Sequence, residues 1–172
     1  VAVGTAPESY ASTSKIQENL KLLRGYFARH YDQQPLLNRV TLLWASTHLP
    51  GILEPQQKTA IIEEVLALQH EDGGWSLASL GQWERHDGTT LETKSDGYAT
   101  GLVTFTLQEA ALSSEHKSLR MGLSWLLSNQ NRIEGSWPGD SLNEEYDSSS
   151  DIGHFMRDAA TAYAVLALTN AD

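Results

Sequence analysis

The chain has 172 residues, of which 40% are hydrophobic, and this is long enough for one domain with a buried core. Its net charge of −10 argues against a surface for nucleic acid, which needs clustered Lys and Arg to contact phosphates. The absence of cysteine excludes disulfides, a thiolate zinc site and a cysteine nucleophile, and no apolar run of about 18 residues predicts a transmembrane segment.

The first half of the chain predicts three helices after a polar start. Residues 1–14 are small and polar and predict a flexible or docking lead-in, so the folded domain is expected over 15–172. Apolar residues at helical spacing predict a helix from Ser14 to about His30. A second helix is predicted over 36–49, where it stops before Pro50, and a third from Pro55 to Gln69.

The second half of the chain predicts three more helices, separated by two insertions. Residues 76–95 show neither helical nor strand periodicity and predict a loop. Residues 98–112 are apolar nearly all round, which is typical of a helix buried between other helices. A further helix ends near Gln130, an acidic and serine-rich second insertion is predicted over 139–157, and a last helix over 158–169. No strand is predicted.

Two stretches of the chain repeat each other. Gln69 is followed by Gly73 and Trp75, and Gln130, 61 residues later, is followed by Gly135 and Trp137. The helix openings ATGLVTFTL and ATAYAVLAL are separated by the same 61 residues. Such a repeat indicates an array in which each helix pair needs its neighbours to bury one face. The predicted fold is therefore all-α, with three antiparallel helix pairs.

The stretch from Arg120 to Trp137 resembles the QW motif of squalene and oxidosqualene cyclases. The inner helices are similar to those of the wider terpenoid cyclase and protein prenyltransferase superfamily. This resemblance implies an α/α toroid, of which the chain would form about half of an α6–α6 barrel. It also implies that six residues of the two turns are structural: Gln69, Gly73, Trp75, Gln130, Gly135 and Trp137.

The chain departs from this family where the chemistry is concentrated. A hopene-type cyclase carries the acid motif DxDD before an inner helix, whereas this chain reads Lys94-Ser95-Asp96-Gly97. A lone aspartate at a helix start is stabilised as a carboxylate by the helix dipole, which does not suit alkene protonation. A prenyltransferase zinc site would need a cysteine. The expectation is a module that binds a ligand or partner, with a cyclase fragment, lyase or hydrolase that uses loop carboxylates as the alternative.

Candidate site residues each have a functional and a structural interpretation. Asp96 and Asp158 are candidate catalytic acids, although an aspartate beside a helix start more often caps the helix. A metal site could be formed by Asp147, Asp151 and His154. Their spacing matches no known ligand pattern, so neither a metal nor a cofactor is predicted. The aromatic residues Tyr98, Phe105 and Tyr163 are expected to line a cavity or to pack between helices.

Half of a ring would leave an apolar helix face uncovered. A second copy of the chain, or a missing segment, would complete the toroid, and a hydrophobic small molecule or a protein is the expected partner. The two insertions are the preferred location for a site.

The chain begins at Val1 rather than methionine, which is typical of a processed chain or of a piece of a longer one. Export or a periplasmic location is compatible with the lack of cysteine.

Overall fold

The structure is a computed structural model that describes residues 1–7 and 10–171. The prediction of a lead-in at Glu8 and Ser9, and of a domain that includes Asp172, lies outside the described residues. Among the described residues every regular element is a helix, and the all-α prediction is confirmed. The α-helices are α1 (Ala2–Thr5), α2 (Ser14–His30), α3 (Leu36–His48), α4 (Pro55–Ala67), α5 (Gly97–Glu109), α6 (Lys117–Ser128) and α7 (Asp151–Thr169).

Local sequence signals account for most helix starts. Pro55 occupies the first turn of α4, where Glu54 and Gln57 form a capping box. The carboxylate of Asp96 accepts a hydrogen bond from the Ala99 backbone N–H at 2.8 Å and so caps α5. The hydroxyl of Ser150 caps α7 in the same way, at 3.1 Å from the Gly153 nitrogen.

The prediction that the second insertion runs to residue 157 is wrong. α7 begins at Asp151, so its first two turns lie within the predicted loop. The cause is that this end of α7 has no buried stripe: Ile152 and Phe155 are exposed to 49% and 72%. The first insertion, predicted as a loop, contains a short 3₁₀ turn at Leu77–Leu80, whose first and last residues are buried.

Helix α5 occupies the centre of the array, between α3 on one side and α6 and α7 on the other. It comes very close to α7, because a Cβ added to Gly101 would lie 2.6 Å from the Ala164 nitrogen. Helices α3, α5 and α7 therefore form a central row. At the start of the chain, α1 packs on α3, where Gly4 lies against the His48 carbonyl.

Candidate functional site

The two repeated turns have the same hydrogen bonds. The indole N–H of Trp75 donates to the Val65 carbonyl at 2.8 Å, and that of Trp137 donates to the Leu126 carbonyl at 2.8 Å. The Gln69 amide donates to the Gly73 carbonyl, and the Gln130 amide to the Gly135 carbonyl, at 2.8 and 2.9 Å. Both glycines have positive φ, which a residue with a Cβ rarely adopts. The turns thus join each helix end to the next central helix.

The two turns are also hydrogen-bonded to the central helices. The backbone N–H of Trp75 donates to the Thr100 hydroxyl of α5 at 3.0 Å, and that of Trp137 to the Thr161 hydroxyl of α7 at 3.1 Å. Both tryptophans are almost fully buried. Their contacts are therefore those of structural residues that place α5 and α7 against the insertions.

The two insertions lie side by side and are tied together by Arg85. Its guanidinium forms an ion pair with the Asp140 carboxylate at 2.7 Å and donates to the Ser141 carbonyl at 3.0 Å. The Arg85 side chain is only 4% exposed. A second tie comes from Asp87, which accepts a hydrogen bond from the Glu145 backbone N–H at 2.8 Å. That bond, together with those from Thr89, lowers the pKa of Asp87 to about 2.

These ties hold residues 140–146, here termed the strap, between two cavities. Asp140, Ser141 and Tyr146 of the strap contribute to the walls of both cavities. One cavity, of about 490 Å³, is lined mainly by apolar and aromatic side chains and is termed the aromatic cavity. The other, of about 720 Å³, is lined mainly by charged and polar side chains and is termed the polar cavity.

The aromatic cavity is formed by the central row and the insertions. Its lining includes Leu37 of α3, Tyr98 of α5, Phe155 and Ala159 of α7, Trp83 of the first insertion, and Leu142 and Tyr146 of the strap. Burial, together with the neighbouring Tyr163, raises the pKa of Tyr98 to about 12, so its hydroxyl stays protonated and can donate a hydrogen bond. The cavity thus combines mainly apolar walls with a few polar residues, among them Asn38, Asp140 and Tyr98.

The three predicted cavity aromatics have different positions. Tyr98 lines the aromatic cavity. The Tyr163 ring packs edge-on against the Tyr98 ring, with 5.2 Å between the two ring centroids. Phe105 instead packs against Trp44 at 5.2 Å and is only 8% exposed. The sequence could not separate these positions, because a helix that is apolar all round does not indicate which face meets a cavity.

Asp96 lies in the wall of the polar cavity, and Asp158 does not. The two oxygens of the Asp96 carboxylate accept backbone hydrogen bonds from Ala99, at 2.8 Å, and from Leu77, at 2.6 Å. Burial nevertheless raises its pKa to about 6. The sequence predicts Asp158 at the start of the last helix, but it lies inside α7 with its side chain exposed. The structure therefore does not bring the two candidate acids together.

The candidate metal ligands of the second insertion are also dispersed. Asp147 accepts two hydrogen bonds from Ser149, one from its backbone N–H and one from its hydroxyl, and so stabilises the loop. Asp151 and His154 lie on the exposed side of α7. Throughout the part of the chain that the structure describes, no three His, Asp or Glu side chains are grouped to hold a metal ion.

Sequence reasoning missed Arg85, Trp83, Phe155 and the strap. Arg85 and Trp83 lie in a loop without periodicity, and an arginine there is normally solvated. The pairing of Arg85 with Asp140 joins residues 55 positions apart, and no local pattern indicates it. The only signal in the sequence is that both insertions are rich in polar residues of the kind that form turns.

Comparison with known proteins gives no further assignment. No protein-family model, curated protein or solved structure matches this chain. Within residues 1–7 and 10–171, no helix combines the length and the apolar character needed to cross a membrane.

Proposed function

We propose that this protein is a helical-repeat module of the squalene cyclase and prenyltransferase type that binds a hydrophobic small molecule in the aromatic cavity. The observation that carries this proposal is the cavity of about 490 Å³ with walls from α3, α5, α7 and both insertions. Ligand sites in proteins are typically of about 300–1,000 Å³ and combine apolar and aromatic walls with a few polar groups. The Tyr98 hydroxyl is one of the polar groups that would orient the ligand.

The module is proposed to lack cyclase chemistry of its own. Alkene protonation needs a carboxylic acid whose proton points at the substrate and whose strength is raised by neighbouring acids. In Asp96 the two carboxylate oxygens already accept hydrogen bonds, from α5 and from the first insertion. This arrangement supports a structural role for Asp96, which holds the insertion on the helix start.

Binding of farnesol, a hydrophobic isoprenoid alcohol, measured by isothermal titration calorimetry, tests this proposal. Phe155 lies in the cavity wall and is 72% exposed, so Phe155→Asp should fold. Burying a phenyl ring is worth about 1.5–3 kcal/mol, so this variant should bind at least about tenfold more weakly. The matched control is Leu127→Asp, at an apolar residue of α6 that is 62% exposed and outside the cavity.

Equal binding by Phe155→Asp and the wild type, or no binding by either, would refute the proposed site. Conversion of squalene to cyclised products by the chain alone, detected by gas chromatography, would refute the noncatalytic part of the proposal.

A second candidate function, a lyase or hydrolase, is favoured by one observation. Asp96, whose pKa burial raises to about 6, lies in the wall of the polar cavity with Glu134 and Glu145. The test is release of nitrophenol from nitrophenyl glycosides. An activity that is lost in Asp96→Asn and retained in Glu92→Gln, at an exposed residue of the same cavity, would establish this candidate.

A further inference from the structure

A serine, a histidine and an aspartate meet at the edge of the polar cavity, where the first of the two turns contacts the start of α5. The Ser95 hydroxyl oxygen lies 3.0 Å from Nδ1 of His70 and 2.8 Å from Oδ1 of Asp72. Ser95 lines the polar cavity and is partly exposed. His70 and Asp72 belong to the turn between Gln69 and Trp75. The fold thus joins a nucleophilic side chain to a base more than twenty residues away.

The partners of Ser95 are held in place by their own contacts. Asp72 accepts hydrogen bonds from the Gly74 backbone N–H at 3.0 Å and from the Trp125 indole N–H of α6 at 3.1 Å. Burial raises the pKa of Asp72, but the bonds from Gly74, Ser95 and Trp125 outweigh it, so the pKa is lowered and the carboxylate stays ionised. A Cβ added to Gly74 would lie 2.5 Å from the Ser95 Cβ, so a glycine is needed for this close approach.

The second repeat forms the same turn without a serine–histidine contact. It keeps the glutamine, glycine and tryptophan of the turn, with their hydrogen bonds and the bond to a threonine of the central helix. However, it has Asn131 in place of His70 and Met156 in place of Ser95, each 61 residues later. The shared geometry of the two turns therefore does not account for Ser95 and His70, which are particular to the first repeat.

The contact between Ser95 and His70 is of the kind that makes a serine nucleophilic. A hydroxyl carries one proton and rotates, so it can donate to Nδ1 of a neutral His70 whose hydrogen is on Nε2. The separation of 3.0 Å is within the reach of a general base, about 2.6–3.2 Å. The Asp72 carboxylate interacts electrostatically with His70 and would stabilise the imidazolium that forms. The Lys94 side chain lines the same cavity and supplies a positive charge for a developing oxyanion.

We propose that Ser95 is the nucleophile, and His70 the general base, of a site that hydrolyses carboxylic esters of small polar molecules. The class of substrate follows from the polar cavity, which has a volume of about 720 Å³ and mainly charged and polar walls. None of the three residues lines the aromatic cavity, so this site is separate from the one proposed to bind a hydrophobic molecule.

The reaction has two steps. In the first, Ser95 Oγ forms a bond to the carbonyl carbon of the ester and gives its proton to Nδ1 of His70. The bond from that carbon to the alcohol oxygen breaks, and His70 returns the proton to the departing alcohol. In the second, water attacks the acyl group on Ser95 while His70 takes a proton from it. The carboxylic acid leaves, and the proton returns to Ser95 Oγ.

Covalent labelling by a biotinylated fluorophosphonate tests the nucleophile, because Ser95 Oγ would bond to phosphorus as fluoride leaves. Peptide mass spectrometry of the wild type should find the label at Ser95. Ser95→Ala should take none, and His70→Gln, which keeps the serine, should react at least about 100-fold more slowly. Ser148→Ala is the matched control, since Ser148 lines the same cavity and makes no histidine contact among the described residues. It should be labelled like the wild type.

Release of nitrophenolate from 4-nitrophenyl acetate tests the hydrolysis. Ser95→Ala keeps all six histidines, so its rate gives the background that free imidazoles cause, and the wild type should exceed it at least about 100-fold. Circular dichroism checks that the variants fold, and His70→Gln is the reference if Ser95→Ala does not. A wild type that takes no label, or takes it at another residue, overturns the proposal. Equal turnover by the wild type and the folded reference variant does so too.

Discussion

The tryptophans of the two turns should tolerate phenylalanine much less well than Trp44 of α3. The last four carbonyls of a helix have no i+4 partner within it. The Trp137 indole satisfies such a carbonyl, that of Leu126 in α6, whereas the Trp75 indole bonds the Val65 carbonyl of α4, which also accepts from the Leu68 N–H at 3.1 Å. The Trp44 indole N–H is buried and has no hydrogen-bond partner among the described residues. Replacement of Trp44 therefore removes no hydrogen bond, whereas replacement of the other two does.

The magnitudes follow from these contacts. A buried carbonyl left without its donor costs about 1–3 kcal/mol, and the smaller ring loses contacts worth about 1 kcal/mol. Trp137→Phe should lower the free energy of unfolding by about 2–4 kcal/mol, which is on the order of 10 °C in Tm for a chain of this size. Trp75→Phe should cost somewhat less, about 1–3 kcal/mol, because the Val65 carbonyl keeps the Leu68 N–H. Trp44→Phe should change it by less than about 1 kcal/mol.

Urea unfolding followed by circular dichroism measures all three variants, with equal m-values as the sign that the native states remain comparable. The reasoning fails if Trp44→Phe is as destabilising as the other two. It fails also if either turn variant costs less than about 0.5 kcal/mol, since the indole hydrogen bonds would then contribute nothing measurable.

Two further predictions concern the polar cavity. Arg85→Met should lower the free energy of unfolding by about 3–5 kcal/mol and expose the strap to proteolysis, because it leaves Asp140 without its partner. Arg157→Met, which breaks the more exposed pair with Glu134, should cost less than about 1 kcal/mol by urea unfolding, and equal costs would contradict the argument. Burial raises the pKa of Asp96 from 3.8 unfolded to about 6 folded, so the folded state holds its proton more tightly. The stability of the wild type relative to Asp96→Asn should therefore fall between pH 4 and pH 6, by at most about 3 kcal/mol, and stay level above; a rise with pH over this range would contradict it.

The helical array could be predicted where burial leaves a pattern in the sequence. α2 and α3 begin and end within a residue or so of the predicted limits, because apolar periodicity and Pro50 mark them. The start of α7 could not be predicted, because no neighbouring helix covers Phe155 and its stripe is exposed. A helix start whose apolar residues are exposed and surrounded by polar residues has a sequence pattern typical of a loop.

The candidate site was less predictable, because its geometry depends on contacts between distant loops. The insertions and Tyr98, which the sequence makes candidates, both line the aromatic cavity. The sequence could not show that Arg85 is buried, since nothing near it in the chain indicates Asp140 as its partner. Long-range ion pairs of this kind are selected by the tertiary structure and not by local propensity.

The repeat itself limits what chemistry the polar cavity can support. Asp96 and Arg157 are separated by 61 residues and both line this cavity, so equivalent positions of the two repeats carry opposite charges. Arg157 is paired with Glu134 at 3.1 Å, which engages that carboxylate as well. The equivalent position in the second repeat thus adds no carboxylate to Asp96. Acid chemistry in this cavity would therefore depend on Asp96, and its expected sign is an activity that is lost in Asp96→Asn and retained in Glu92→Gln.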